Sequence, residues 1–186
     1  MNKKNMLIVL LIFLIYSNVQ PQFLKIGFRI EPAIMFAEVK NESNLSFIFS
    51  SFYLTSLVEP TELFGLEFRP GYIIGGEYTG LELGAFLHFK IKPTNFYIVA
   101  GLNNHSNDVS NAHNGGASYI KNMLYKGIGI GYQKDSKLGF DLMYYWTNNK
   151  SYGYNRITDD LGNATNIDKQ MNGILKVGFN LAWDIF

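Results

Sequence analysis

The stretch Leu81-Glu82-Leu83-Gly84-Ala85-Phe86-Leu87-His88-Phe89-Lys90-Ile91 decides the fold. Leu81, Leu83, Ala85, Leu87, Phe89 and Ile91 alternate with Glu82, Gly84, Phe86, His88 and Lys90. A period of two sends the first set to one face of a β-strand and the second to the other. No stretch after Phe23 carries the 3.6-residue period of an amphipathic helix. The strand signal, by contrast, repeats on both sides of this segment.

Toward the N-terminus, Phe64, Leu66 and Phe68 oppose Gly65, Glu67 and Arg69, while Leu24, Ile26, Phe28 and Ile30 oppose Lys25, Gly27, Arg29 and Glu31. Toward the C-terminus, Phe96, Ile98, Ala100 and Leu102 oppose Tyr97, Val99, Gly101 and Asn103. Leu124, Ile128, Ile130 and Tyr132 oppose Tyr125, Gly127, Gly129 and Gly131; Leu138, Phe140, Leu142, Tyr144 and Trp146 oppose Gly139, Asp141, Met143 and Tyr145. The last strand sets Leu175, Val177, Phe179, Leu181, Trp183 and Ile185 against Lys176, Gly178, Asn180, Ala182 and Asp184.

Two places break the rule. Between Leu45 and Val58 the phase changes, since Phe47 and Phe49 hold one phase and Phe52 and Leu54 the other. A β-bulge near Ser50-Ser51 reconciles them, because one extra residue flips every later side chain. Lys126 falls on the apolar face of the sixth strand, where it is expected to snorkel toward a headgroup.

The connections alternate in length. Val58 to Thr61, Lys92 to Asn95 and Gln133 to Ser136 read as tight turns. The others read as external loops: Lys40 to Asn44, Gly75 to Gly80, Asn104 to Ser118 and Asn148 to Gln170. Eight strands, short turns on one side and longer loops on the other make an all-β, eight-stranded antiparallel up-and-down transmembrane β-barrel. An even strand count brings both chain ends to the short-turn side.

Alternation leaves open which face is inside, and a soluble exported lipocalin-like binding barrel is the alternative. Three features favour the membrane. The apolar face is too rich in large side chains to fit inside eight strands. Ten glycines lie on the polar face (Gly27, Gly65, Gly71, Gly84, Gly101, Gly127, Gly129, Gly131, Gly139 and Gly178). There they make room for long neighbours in a narrow lumen. Finally, Lys25, Arg29, Glu31, Glu67, Arg69, Glu82, His88, Lys90, Asp141 and Lys176 bring both signs to that face, as an interior polar network requires.

Composition agrees. Aromatics make up 16% of residues, glycines number 18, and the formal charge is +1, with no one-sided basic footprint for nucleic acid. Cysteine is absent, which excludes disulfides, thiolate metal sites and a lipid-anchoring cysteine. Lys3 and Lys4 precede the apolar run Met6 to Tyr16, so residues 1–20 read as a cleaved signal peptide and 21–186 as the barrel domain.

Lys176-Val177-Gly178-Phe179-Asn180-Leu181-Ala182-Trp183 resembles the polar-x-Gly-x-x-hydrophobic-x-aromatic end of outer-membrane proteins, and Phe186 resembles their terminal Phe. With the strand count, the chain resembles small outer-membrane β-barrels such as the OmpA transmembrane domain and OmpX. The resemblance implies an integral outer-membrane protein with periplasmic N- and C-termini. It implies that Lys176, Gly178, Leu181, Trp183 and Phe186 signal to the barrel-assembly machinery, and that outer-membrane lipid and lipopolysaccharide are its surroundings.

The chemistry-bearing residue types gather at Asn103-Asn104-His105-Ser106-Asn107-Asp108 and His113. Outer-membrane lipid hydrolases such as the lipid A deacylase PagL and outer-membrane phospholipase A resemble this segment, but their motif is His-x-Ser-Asn. That spacing puts imidazole and hydroxyl on one face of a strand. Adjacent His105 and Ser106 point to opposite faces, so acyl-ester hydrolysis by His105 and Ser106, with Asp108 as orienter, is only the alternative. No metal site is expected from His105 and His113, and no cofactor is expected. The leading expectation is a non-enzymatic barrel with a structural or surface-interaction role in its long loops, where Tyr152, Tyr154 and Arg156 supply contact residues.

Overall fold

The computed structural model describes residues 23–75, 78–108, 116–158 and 162–185. The signal-peptide segment 1–20, His113 and Phe186 therefore lie outside the described residues. Twelve β segments follow one another: β1 (Phe23–Ile30), β2 (Ala33–Val39), β3 (Glu42–Ile48), β4 (Ser50–Glu59), β5 (Phe64–Ile74) and β6 (Gly80–Lys90) in the first half. The second half holds β7 (Phe96–Asn107), β8 (Gly116–Ser118), β9 (Lys121–Gln133), β10 (Leu138–Trp146), β11 (Ser151–Thr158) and β12 (Ala164–Asp184).

These segments make eight physical strands. β2 prolongs β1 beyond Pro32, β3 runs into β4, β8 into β9, and β10 is prolonged by β11. All pair antiparallel, in the order β1-β4-β5-β6-β7-β9-β10-β12, and β1 pairs back onto β12 to close the ring. Directly opposed residues lead around the wall from Leu24 to Val58, Leu66, Leu87, Ala100, Ile128, Tyr144, Leu175 and back to the first strand at Ile34. The ring thus closes ten residues further along, a shear that tilts the strands by about 40° to the axis.

The polarity is inverted relative to a soluble barrel. Leu81, Leu83, Leu87 and Phe89 are exposed on the outer wall, as are Phe28, Phe68, Ile98, Ile130, Phe140 and Phe179. Arg29, Glu31, Glu67, Arg69, Glu82, Asp141 and Lys176 are buried inside. A wall of exposed Phe, Leu and Ile with buried ions is the reverse of what water selects, so the lipocalin-like alternative does not describe this molecule.

The expected bulge is present. Ile30 faces Phe52 and Ala33 faces Ile48, so Glu31 and Pro32 oppose three residues, Phe49, Ser50 and Ser51. Phe49 points out at 82% exposure while Ser51 is fully buried, which is the phase flip. Pro32 has no N–H to donate, so the interruption falls where the ladder loses least. Its carbonyl still accepts from Val177 N at 3.0 Å, and Glu31 N donates to the Ser51 carbonyl at 2.9 Å.

The external connections differ from the reading of them as loops. β7 runs on to Asn107, and Asn148 to Gln170 is largely a hairpin of β11 on β12. Lys40 and Asn41 alone form the turn between β2 and β3, both with positive φ (54° and 65°), as a two-residue hairpin turn of this twist demands. In the Gly75–Gly80 connection Tyr78 is fully buried. The result is a sheet in the order β8-β11-β12-β2-β3, standing above the level where β5 and β6 end.

Candidate functional site

The lumen is the place where this chain concentrates polar chemistry, and it is layered. At the short-turn end, Glu59 accepts from Lys90 at 2.5 Å and from Lys25 at 3.3 Å, with Asp184 at 3.8 Å from Lys25. A cavity of about 480 Å³ opens here between Leu57, Lys25, Lys90, Phe96 and Tyr97.

One step inward, Arg29 donates to Glu31 at 2.5 Å and also to Asp141. Arg69 donates to Glu67 at 2.6 Å and reaches Glu31 and Asp141 at 3.4 and 3.5 Å. His88 Nε2 lies 2.6 Å from Glu67 and its ring stacks on Tyr97, which donates to Asp141 at 3.2 Å. Gly178 permits this arrangement, since any Cβ there would overlap the Arg29 guanidinium.

The next layer centres on Lys176, which donates to Glu82 at 2.6 Å and to the Tyr53 hydroxyl at 2.7 Å, with Glu31 at 3.5 Å. Tyr53 donates to Glu82 as well. His105 Nδ1 lies 3.3 Å from Glu82, on the side of that carboxylate away from Lys176. Tyr78 stacks on His105 at 4.0 Å, with Tyr125 and Tyr152 edge-on at 6.4 and 6.2 Å. These rings, with Met123 and Met171, close the top of the ionic core. The space between Glu31, Tyr53, Arg69, Glu82 and Tyr145 has no room for a water molecule.

All ten residues of the expected polar network face this lumen. By sequence alone Glu59 falls in a turn and His105 on a rim loop. Tyr53 is absent from the expected network, although the bulge sets its phase inward. Glu59 holds two lysines, and continuing the Ser51-Tyr53-Thr55-Leu57 phase by one step reaches it. Ser106 projects outward and donates to Asn122 Oδ1 at 2.5 Å, while fully buried His105 donates from Nε2 to Asn107 Oδ1, 3.1 Å away. Asp108 accepts from the Tyr72 hydroxyl at 2.9 Å. The barrel wall separates hydroxyl from imidazole, so the proton transfer that activates a serine is not available. Of the expected assembly-signal residues, Lys176 and Gly178 face the lumen, while Leu181 and Trp183 face out, with Phe28 edge-on to Trp183 at 6.3 Å.

Above the rim, Asn107 Nδ2 donates to the carbonyls of Tyr119 and Tyr152, both at 3.2 Å, tying β7 to the raised sheet. Tyr119 donates to Asp168 at 2.6 Å, and this bond to a carboxylate pushes the phenol up to about 12. A second cavity of about 360 Å³ lies under the sheet between Met35, Ala37, Ser46, Tyr152 and Lys169.

No protein-family model and no characterised protein matches the sequence. Solved structures similar to the chain include Neisserial surface protein A, at 15% identity and TM-score 0.46, over 86% of this chain and 97% of that one. Ail, the attachment invasion locus protein of Yersinia pestis, matches at 13% identity and TM-score 0.46, over 87% and 97%. The outer membrane protein AlkL, seen in lipid bilayers, matches at 10% identity and TM-score 0.45, over 88% and 90%.

Proposed function

We propose that this protein is a non-enzymatic integral outer-membrane barrel, with both chain ends and the short turns in the periplasm. Its raised sheet β8-β11-β12-β2-β3 then stands outside the cell as the contact surface for a partner. The observation that carries this reading is the inverted polarity: an apolar girdle of Phe, Leu and Ile, interrupted at Lys126, around a lumen whose ions are paired with one another. In a bilayer such a ring leaves no strand edge unsatisfied. Residues 1–20 would direct export, and the Lys176–Trp183 segment would engage the barrel-assembly machinery.

Unheated and boiled samples run on a denaturing gel test the barrel in the membrane fraction. A compact, faster unheated band is expected; a single heat-independent band in a soluble fraction overturns the reading. Orientation is tested with an epitope inserted at 159–163 or in the turn 134–137. The first is expected to bind antibody on intact cells and the second only after permeabilisation; the reverse pattern would invert the topology.

A further inference from the structure

In β9, Lys126 occupies an outward position between Leu124 and Ile128, which are 55% and 50% exposed. Its cross-strand neighbours are Leu102 and Trp146. It makes no ion pair among the described residues. A lysine facing hydrocarbon has to bring its ammonium to water or to an anion. The wall turns polar close by, because the next outward pairs are Asn104 with Leu124 and Ser106 with Asn122. One outward step is about 6.6 Å along a strand, within reach of a lysine stem, so in the membrane orientation proposed above the ammonium can extend to the headgroup level.

The wall beside it is built rather than bare. Trp146 stacks on Tyr144 (centroids 6.1 Å apart, 20° between planes), and the Tyr144 ring lies across Gly173, where any Cβ would meet it. This aromatic shelf ends at Asn172, whose amide oxygen accepts from Lys150 at 3.0 Å and whose amide nitrogen donates to Glu38 at 3.2 Å. Nearby, Lys121 donates to Asn149 at 2.9 Å. Lys121 and Lys150 are thus held by neutral amide oxygens, with no direct ion pair to either among the described residues, while the Glu38 carboxylate lies on the far side of the Asn172 amide.

We propose that Lys126 and Lys150, on either side of the Trp146–Tyr144 shelf, hold a phosphate of a lipid A headgroup. The inference rests on the membrane orientation given above, which puts this end of the barrel in the outer leaflet. Charge complementarity selects the ligand: ammonium groups pair strongly with phosphate oxygens where water is scarce, and the shelf offers an acyl chain a rigid apolar face.

The test uses the full mature chain carrying Trp183→Phe, which leaves Trp146 as its one indole. Refolded in zwitterionic micelles, it is titrated with bisphosphorylated lipid A, dephosphorylated lipid A or phosphatidylglycerol while Trp146 emission is followed. Lipid A is expected to saturate the emission shift at the lowest concentration. K126Q and K150Q should each raise the half-saturation point roughly fivefold; K126R/K150R should restore it, and K92Q, at the opposite end, should leave it unchanged. Equal half-saturation for K126Q/K150Q and parent overturns the site. Equal response to phosphatidylglycerol or dephosphorylated lipid A overturns the assignment to lipid A phosphate. The heat-dependent gel shift is read on each sample; its absence in the parent fails the membrane reading instead.

Discussion

Lys176 shows what an ion is worth inside this lumen. Among the deeply buried permanent ions, Arg29, Arg69 and Lys176 face four carboxylates, Glu31, Glu67, Glu82 and Asp141, with His88 against Glu67 and His105 against Glu82. Removing a cation therefore leaves more uncompensated charge than removing a carboxylate. Lys176→Met strips Glu82 of its ammonium and is expected to cost about 3–5 kcal/mol, read as a fall in the urea midpoint of protein folded into lipid vesicles. Asp141→Asn should cost less, since Arg29 keeps Glu31 and Arg69 keeps Glu67. Adding Glu82→Gln to Lys176→Met should recover part of the loss, which a double-mutant cycle measures; strict additivity would show the pair is not coupled. Outside the bilayer, Asp135 accepts the backbone N–H groups of Lys137 and Leu138, both at 2.8 Å, and these bonds hold its carboxyl below the usual value. A lowered folded-state value contributes stability above the unfolded-state value, near 3.9, and loses it as pH falls through the folded one. NMR titration should place the Asp135 midpoint below that of a free aspartate, and Asp135→Ala should remove the acid-side dependence of this turn.

The strands divide into parts legible in the sequence and parts that were not, and lipid contact marks the division. Where one face meets an apolar surround and the other a polar lumen, residues must alternate, so Leu81 to Ile91 reads plainly. Above the rim both faces can be polar. Asn104 to Asn107 and Ser151 to Thr158 are strands with no apolar period to disclose them, held by Asn107 and by pairing with β12. The same polarity concealed His105, whose inward position follows from continuing the Tyr97-Val99-Gly101-Asn103 phase by one step. The bulge was legible because both flanks carry large apolar residues in opposite phase. It also makes a test. Deleting Ser50 leaves Ile48, Phe49, Ser51 and Phe52 in regular in-out order, so this shorter chain should still give the heat-dependent gel shift. Deleting Leu54, two turns of phase beyond, would face Phe52-side residues correctly but send Thr55 and Glu59 into lipid and Val58 inward. That chain should not fold into vesicles, and equal folding of the two would mean that register is not set by this pattern.

At the scale of the whole barrel, strand number, shear and side-chain size together decide whether anything passes through. Eight strands enclose a lumen just wide enough for side chains. Here that width is taken by Arg29, Arg69, Phe86, Tyr145 and Lys176, all at 2% exposure or less. The Arg69 guanidinium lies 4.3 Å from the centroid of the Phe86 ring, and the Lys176 ammonium lies 5.1 Å from that of Tyr145, so charge and ring fill the cross-section jointly. The tyrosine–histidine stack at Tyr78 and His105 lies above them. The cavities of about 480 and 360 Å³ are consequently separate vestibules at opposite ends, not parts of one channel. Planar bilayers holding the refolded protein should therefore show no unitary current steps, in neutral or acidic buffer. Tyr78→Gly should leave the record silent too, because the aromatic cap lies above the ionic plug and does not form it. Discrete steps in the parent would mean the ionic core opens in the membrane, and steps confined to Tyr78→Gly would move the barrier from the arginines to the cap.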